Sequence, residues 1–156
     1  MEIISARIEH LDQIQNLSSK LILDDYENYD KTVDINRSHS EDWENFFRNW
    51  IIDNNSCIYI AIDNNKVIWY VYGWIYSSVS WRIWTKHIAE LYNFFVDEEY
   101  RSAGVGWKLY QSFLDWVKLQ NVDRLKVVAS AANQQAIKFY KKNSFEEYTI
   151  TLETSL

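Results

Sequence analysis

Arg101-Ser102-Ala103-Gly104-Val105-Gly106 carries two of the three glycines in a chain of 156 residues that has no proline. Before it lies Glu90-Leu91-Tyr92-Asn93-Phe94-Phe95-Val96, the end of an apolar run from His87 that reads as a strand. After it, Leu109, Phe113, Trp116 and Val117 recur at helical steps, the buried stripe of a helix from about Gly104 to Gln120. A strand, a glycine pair and a helix in that order suit an anion. Without Cβ atoms the backbone N–H groups at Gly104 and Gly106 can approach phosphate oxygens, and the helix start adds the positive end of its dipole. Arg101 can supply a formal charge. A plain tight turn into a helix would need one glycine, not two. A Walker loop is excluded because no Gly-Lys-Ser/Thr follows. A dinucleotide fingerprint fails as well: Leu109 stands where a third small residue belongs, the first glycine does not directly follow the strand, and Ser130 lies where an acid should end the next strand.

Upstream, Ile3, Ile4, Ala6 and Ile8 suggest a first strand, and Leu11, Ile14, Leu17, Leu21 and Ile22 share one face of a helix. Ser38 or Ser40 can cap a second helix, whose stripe is Trp43, Phe46, Phe47, Trp50 and Ile51. Ser56 to Asp63 and Lys66 to Tyr76 read as a hairpin around Asn64-Asn65, a pair able to take positive φ. Strict alternation in the second of these strands puts Ile68, Tyr70, Tyr72, Trp74 and Tyr76 on one face and Val67, Trp69, Val71 and Ile75 on the other. A loop runs from about Ser77 to Lys86. Downstream, Arg124 to Ser130 reads as a strand, Asn133 to Lys142 as a helix capped by its asparagine, and Phe145 to Leu152 as a closing strand. The order is β-α-α-β-β-β-α-β-α-β. It predicts an α/β (α+β) fold, a mixed and mostly antiparallel central sheet of about six or seven strands with helices on both faces. One domain over residues 1–156 accounts for the length.

Composition narrows the partners. Sixteen Lys and Arg against 22 Asp and Glu leave a net charge of −6, which argues against nucleic acid or an anionic membrane as the main partner. Eight Trp, 11 Tyr and 7 Phe supply enough apolar area for a core without cross-links. Cys57 is the only cysteine, so neither an internal disulfide nor a cysteine-based zinc site is available, and a reducing, cytoplasmic setting is expected. His10, His39 and His87 stand far apart, without metal-ligand spacing, and no metal is expected. No basic leader precedes an apolar run, and no stretch is long and apolar enough for a membrane span.

The chain resembles the GNAT superfamily of acyl-CoA-dependent N-acyltransferases. That family's pyrophosphate loop reads Arg/Gln-x-x-Gly-x-Gly/Ala, which Arg101, Gly104 and Gly106 fill in register. Its downstream signature is met by Asn133, Ala136, Phe139, Tyr140, Lys142 and Phe145, and Glu90 to Val96 looks like its fourth strand. Two positions depart. Ser144 stands where the signature usually has glycine, with Asn143 beside it able to shift the turn by one residue. Trp69 stands at a third-strand position that is often glycine, and its ring would narrow the acceptor pocket.

The resemblance implies acetyl-CoA as co-substrate and an amine as acceptor, with acetyl transfer to a primary amine of a small molecule (polyamine-like) or a peptide. The pantetheine would pair along Phe94, Phe95 and Val96 like an extra strand, with the thioester carbonyl near the N–H of Phe94. Arg101, Ser102, Ala103, Gly104, Val105, Gly106 and Trp107 would hold the pyrophosphate. Asn133 would either bind pantetheine or only cap its helix. Tyr140 is the candidate general acid, since its phenol pKa near 10 is close to that of an alkyl thiol; the other reading is a core tyrosine. Glu90 matches the base position of some relatives, with Tyr92 on the same face, or it is a salt-bridged strand carboxylate. Asp24, Asp25 and Tyr26 begin an acidic segment after the first helix, which in relatives borders the acceptor pocket and here would favour a cation, or is solvated surface. The competing reading of the whole is a catalytically idle acyl-CoA-binding module that acts as a sensor or scaffold; retention of Tyr140 favours the enzyme. A homodimer is compatible with either.

Overall fold

The computed structural model describes residues 1–77, 87–96 and 104–154. Strands β1 (Glu2–Ser5), β2 (Ser56–Asp63), β3 (Lys66–Ser77), β4 (His87–Val96) and β5 (Arg124–Val127) form one five-stranded sheet in the order β1-β2-β3-β4-β5. The first four pair antiparallel, and β5 joins β4 parallel because helix α3 (Val105–Leu119) carries the chain back across the sheet between them. The Asn64-Asn65 turn has φ of 48° and 62°, as its hairpin requires. The expected loop from Ser77 falls almost wholly on 78–86, outside the described residues.

Each face of the sheet has its own core. Helices α1 (Leu11–Asn28) and α2 (Glu41–Ile52) cover one, where Ile14, Trp43 and Phe47 meet Ile60, Val67, Tyr70 and Tyr72. Helices α3 and α4 (Gln134–Lys142) cover the other, where Leu109, Phe113 and Tyr140 meet Trp69, Val71 and Leu91. Ser40, not Ser38, caps α2, its hydroxyl accepting from the Trp43 N–H at 3.2 Å. A buried bond of 3.0 Å from Trp43 Nε1 to Ser18 Oγ ties α2 to α1.

Three expectations change. The ladder of β2 and β3 slips between Ala61 and Ile62, so Ile68 is an extra residue and alternation breaks there. Val67 therefore shares a core with Tyr70 and Tyr72, while Ile68 joins Trp69 and Val71. Among the described residues the closing strand from Phe145 to Leu152 forms no ladder, with Tyr148, Ile150 and Leu152 exposed, and the sheet has five strands rather than six or seven. Its neighbour β5 ends at Val127 instead of Ser130, and contact there runs through side chains, with the Arg124 guanidinium 4.0 Å over the Tyr148 ring. Finally, the turn after α4 does not shift to Asn143. Ser144 itself takes the left-handed conformation at φ 66°, and Asn143 instead bonds back to the Phe139 carbonyl at 2.8 Å.

Candidate active site

Strands β4 and β5 pair from Ile88↔Arg124 to Leu91↔Val127, and there β5 stops while β4 continues to Val96. Past this fork β4 has no ladder partner on its β5 side among the described residues, leaving an open row of backbone donors and acceptors. On its other side β4 pairs with β3, but the register slips between Tyr72↔Asn93 and Gly73↔Leu91, so Tyr92 is an extra residue. The bulge keeps Tyr92 on the α2 face, against Tyr72 and Phe46, and turns Phe94 to the α3 face, where it meets Phe139 at 5.6 Å.

The first turn of α3 sits on this fork. A Cβ on Gly106 would lie 2.6 Å from Trp69 Cζ3 and 3.3 Å from Phe94 Cζ, so its absence lets helix and sheet touch. Gly106 thus has a packing role, holding the first turn of α3 against the sheet. Gly104 differs: its φ is +73°, and a Cβ there would meet nothing within 4 Å. It is the residue before α3, and among the described residues no side chain caps the helix, whose first turn lies beside the unpaired edge of β4. Trp107 is half exposed and leans on Tyr110, with ring centroids 5.9 Å apart. Arg101, Ser102 and Ala103 lie outside the described residues.

Trp69 is buried beneath Gly106 on the α3 face, opposite the face that carries Glu90. Phe95 is buried in the α1–α2 core, so only its backbone reaches the open edge. The Asn133 carboxamide oxygen accepts from the Ala136 N–H at 3.0 Å and caps α4. Tyr140 is buried between Phe139 and Phe145, at 5.5 Å from each. Burial, and then the nearby Tyr110 phenol, push its hydroxyl well above the ordinary tyrosine range. Cys57 is pushed up too, by burial, which makes it a poor nucleophile.

On the opposite face Glu90 is 8% exposed, and its Oε1 lies 3.1 Å from Lys126 Nζ. The parallel register sets the two side by side, Glu90↔Lys126, with Trp74 across from Glu90 on β3. Tyr76 stands beside the pair and feels the charge of both members. Burial pulls the Lys126 ammonium down, but its bond to Glu90 and the nearness of Tyr76 outweigh that and raise it, so it stays charged. Around the pair runs an aromatic wall: Trp50 stands 5.6 Å from Tyr72 and 5.1 Å from Trp74, and Trp74 stands 5.1 Å from Tyr76.

Asp24, Asp25 and Tyr26 belong to α1, not to a loop beyond it, because the helix runs on to Asn28. Burial, then the charges of Asp24 and Asp30, raise Asp25 to about 6. Its field reaches Tyr70, whose hydroxyl accepts from Asn93 Nδ2 at 3.3 Å. Tyr70 and Trp74 are roughly 13 Å apart along β3 at the usual rise per residue, so the structure does not bring the acidic turn to Glu90. Tyr26 lies under Lys31, 4.6 Å from Nζ to ring centroid. Among the described residues no group of three His, Cys, Asp or Glu is placed to hold a metal, and no helix is long and apolar enough to cross a membrane.

The model of the acetyltransferase (GNAT) family matches residues 20–145, more than half of the chain. The chain belongs to that family. The GNAT core spans both faces of the sheet and the fork between β4 and β5. An uncharacterized N-acetyltransferase of Methanocaldococcus jannaschii is 24% identical over 108 residues, covering 67% of this chain and 46% of the relative, so the chain spans about half the length of that protein. A Bacillus halodurans protein, solved as a tetramutant, matches all of both chains with a TM-score of 0.87 at 16% identity. The aminoglycoside acetyltransferase AAC(6')-Iy, solved with a bisubstrate analogue of CoA, matches 99% of this chain and 98% of its own with a TM-score of 0.75 at 16% identity. These solved structures share the GNAT fold with this chain.

Lys126, Tyr76, Trp50 and Trp74 were not legible as site residues. Glu90 and Lys126 are far apart in sequence, and only the register of a parallel pair joins them.

Proposed function

We propose that the protein is an acetyl-CoA-dependent N-acetyltransferase acting on a primary amine of a small molecule or a peptide. The observation that carries this is the fork. An unpaired β4 edge from Tyr92 to Val96 runs beside an uncapped helix start seated on Phe94. An extended amide chain can pair with the first and a diphosphate can meet the second. Acetyl-CoA has both. In this reading the backbone of Phe94, Phe95 and Val96 orients the pantetheine, and residues from Arg101 to Trp107 take the pyrophosphate, with Gly104 opening the space.

The amine nitrogen must shed a proton before it attacks the thioester carbon, and a second as the amide forms; when the C–S bond breaks, the leaving thiolate takes one up. Tyr140 gives that proton. Burial raises its phenol, and would raise a thiol beside it in the same direction, so donor and acceptor stay matched. Glu90 takes the amine's proton, directly or through water. Direct transfer is also supported by Cys57, whose half-buried thiol is held above the ordinary range and so is a poor candidate for an acyl-cysteine route. The polyamine preference rests on Asp24 and Asp25, whose turn borders Tyr70 rather than Glu90.

The test is thermal unfolding with excess acetyl-CoA. Ligand that binds only the folded state raises the midpoint by mass action. Gly104→Glu, which puts a carboxylate into the open space at the helix start, should abolish the rise. An unchanged midpoint in the wild type would overturn the reading.

A further inference from the structure

Glu90 is already occupied by a cation. Lys126 Nζ sits 3.1 Å from its carboxylate, so the acceptor end of the fork presents a zwitterion rather than a bare negative charge. A second ammonium arriving at Glu90 would meet the charge of Lys126 at close range. A molecule that carries its own carboxylate beside its amine would instead exchange partners with the pair, amine to Glu90 and carboxylate to Lys126.

The surroundings fit such a ligand. Half of the Lys126 side chain is exposed, at 48%, so the ammonium can be reached without unfolding the sheet. Trp74, opposite Glu90 in the ladder, has a buried indole N–H with no partner among the described residues, a further donor that a carboxylate or carbonyl oxygen would satisfy. Tyr92 is 49% exposed and continues the wall made by Tyr72, Trp50 and Trp74, which favours an apolar or aromatic body on the ligand.

We propose that the acceptor is a zwitterionic amine with an apolar body, of the amino-acid type, and that Lys126 is the residue that selects it by taking its carboxylate. The proposal rests on the acetyltransferase reading and names its substrate class. It counts against di- and polyamines, which bring only positive charge to this end of the fork.

Phenylalanine and 2-phenylethylamine differ only in the carboxylate, and the nearby tryptophans report binding without turnover. Titration of each, followed by tryptophan fluorescence in the presence of CoA, should show phenylalanine binding at least about tenfold more tightly, the size of one charge-assisted bond. Lys126→Met should bring the ratio to within about twofold, and Lys126→Arg should keep it. Equal binding of the two in the wild type, tighter binding of the amine, binding of neither, or a ratio that survives Lys126→Met would each overturn the proposal. The acetyl-CoA midpoint rise, measured on the same preparations, separates the two readings. If it stands while the carboxylate preference is missing, only the substrate class falls; if it is missing, the acetyltransferase reading falls.

Discussion

The two ends of the fork are built from different materials. At the α3 end the working parts are backbone: an unpaired strand edge, a left-handed Gly104, a helix start without a cap. At the Glu90 end they are side chains, brought by α2, β3, β4 and β5 to one place on the sheet. A backbone site depends on which residues lack side chains, so it leaves a mark within a few consecutive positions. A side-chain site depends on which strands are neighbours and in what register, so it leaves none.

The largest effect expected is at Tyr140, on the α3–α4 side of the sheet. Tyr140→Phe removes one hydroxyl and no packing, so acetyl-CoA should still raise the unfolding midpoint while turnover falls by roughly 10²–10⁴-fold. Full turnover in that variant would return Tyr140 to the α3–α4 core as a packing residue.

A smaller effect sharpens the backbone end. Gly106→Ala forces a methyl against Trp69, which is buried, and should cost about 1–3 kcal/mol in denaturant unfolding. In a Trp69→Leu background the same substitution should cost much less, because the loss is a clash with that ring. An unchanged cost in that background would place the requirement in the helix start itself.

The smallest concerns the carboxylate that the fold keeps apart from Glu90. Asp25 is raised from 3.8 to about 6, so between these values the folded chain binds a proton that the unfolded chain has released. Stability tied to Asp25 is therefore present below the lower value and lost as pH rises through the upper one. Asp25→Asn should flatten the stability profile between about pH 4 and 6 and add about 1 kcal/mol at neutral pH, discounted for solvent screening. An unchanged slope would show that Asp25 is solvated.

Much of the fold was legible, since helix stripes such as Leu11, Ile14 and Leu17 and the Asn64-Asn65 turn encode themselves locally. The left-handed turn at Gly104 fits its setting between strand and helix. The packing demand at Gly106 left no local mark, because the close approach of Trp69 comes from a strand 37 positions earlier. The closing strand failed for a related reason: Tyr148, Ile150 and Leu152 alternate as a strand should, but alternation does not supply a neighbour to pair with. Lys126 escaped notice as one more surface lysine. Its importance comes from the parallel ladder that sets it beside Glu90.

The extra residue at Tyr92 makes β4 a strand that changes allegiance partway along. Before it Glu90 belongs to the aromatic face, and after it Phe94 belongs to the glycine face. In a regular strand the two would point the same way, since they are an even number of positions apart. Deleting Tyr92 would therefore leave the phase intact: three positions apart in a regular strand, Glu90 and Phe94 would still face opposite layers, and the loss would be one ring of the aromatic wall. The bulge is slack in the strand, one side chain added to the aromatic face without a change in which layer its neighbours meet.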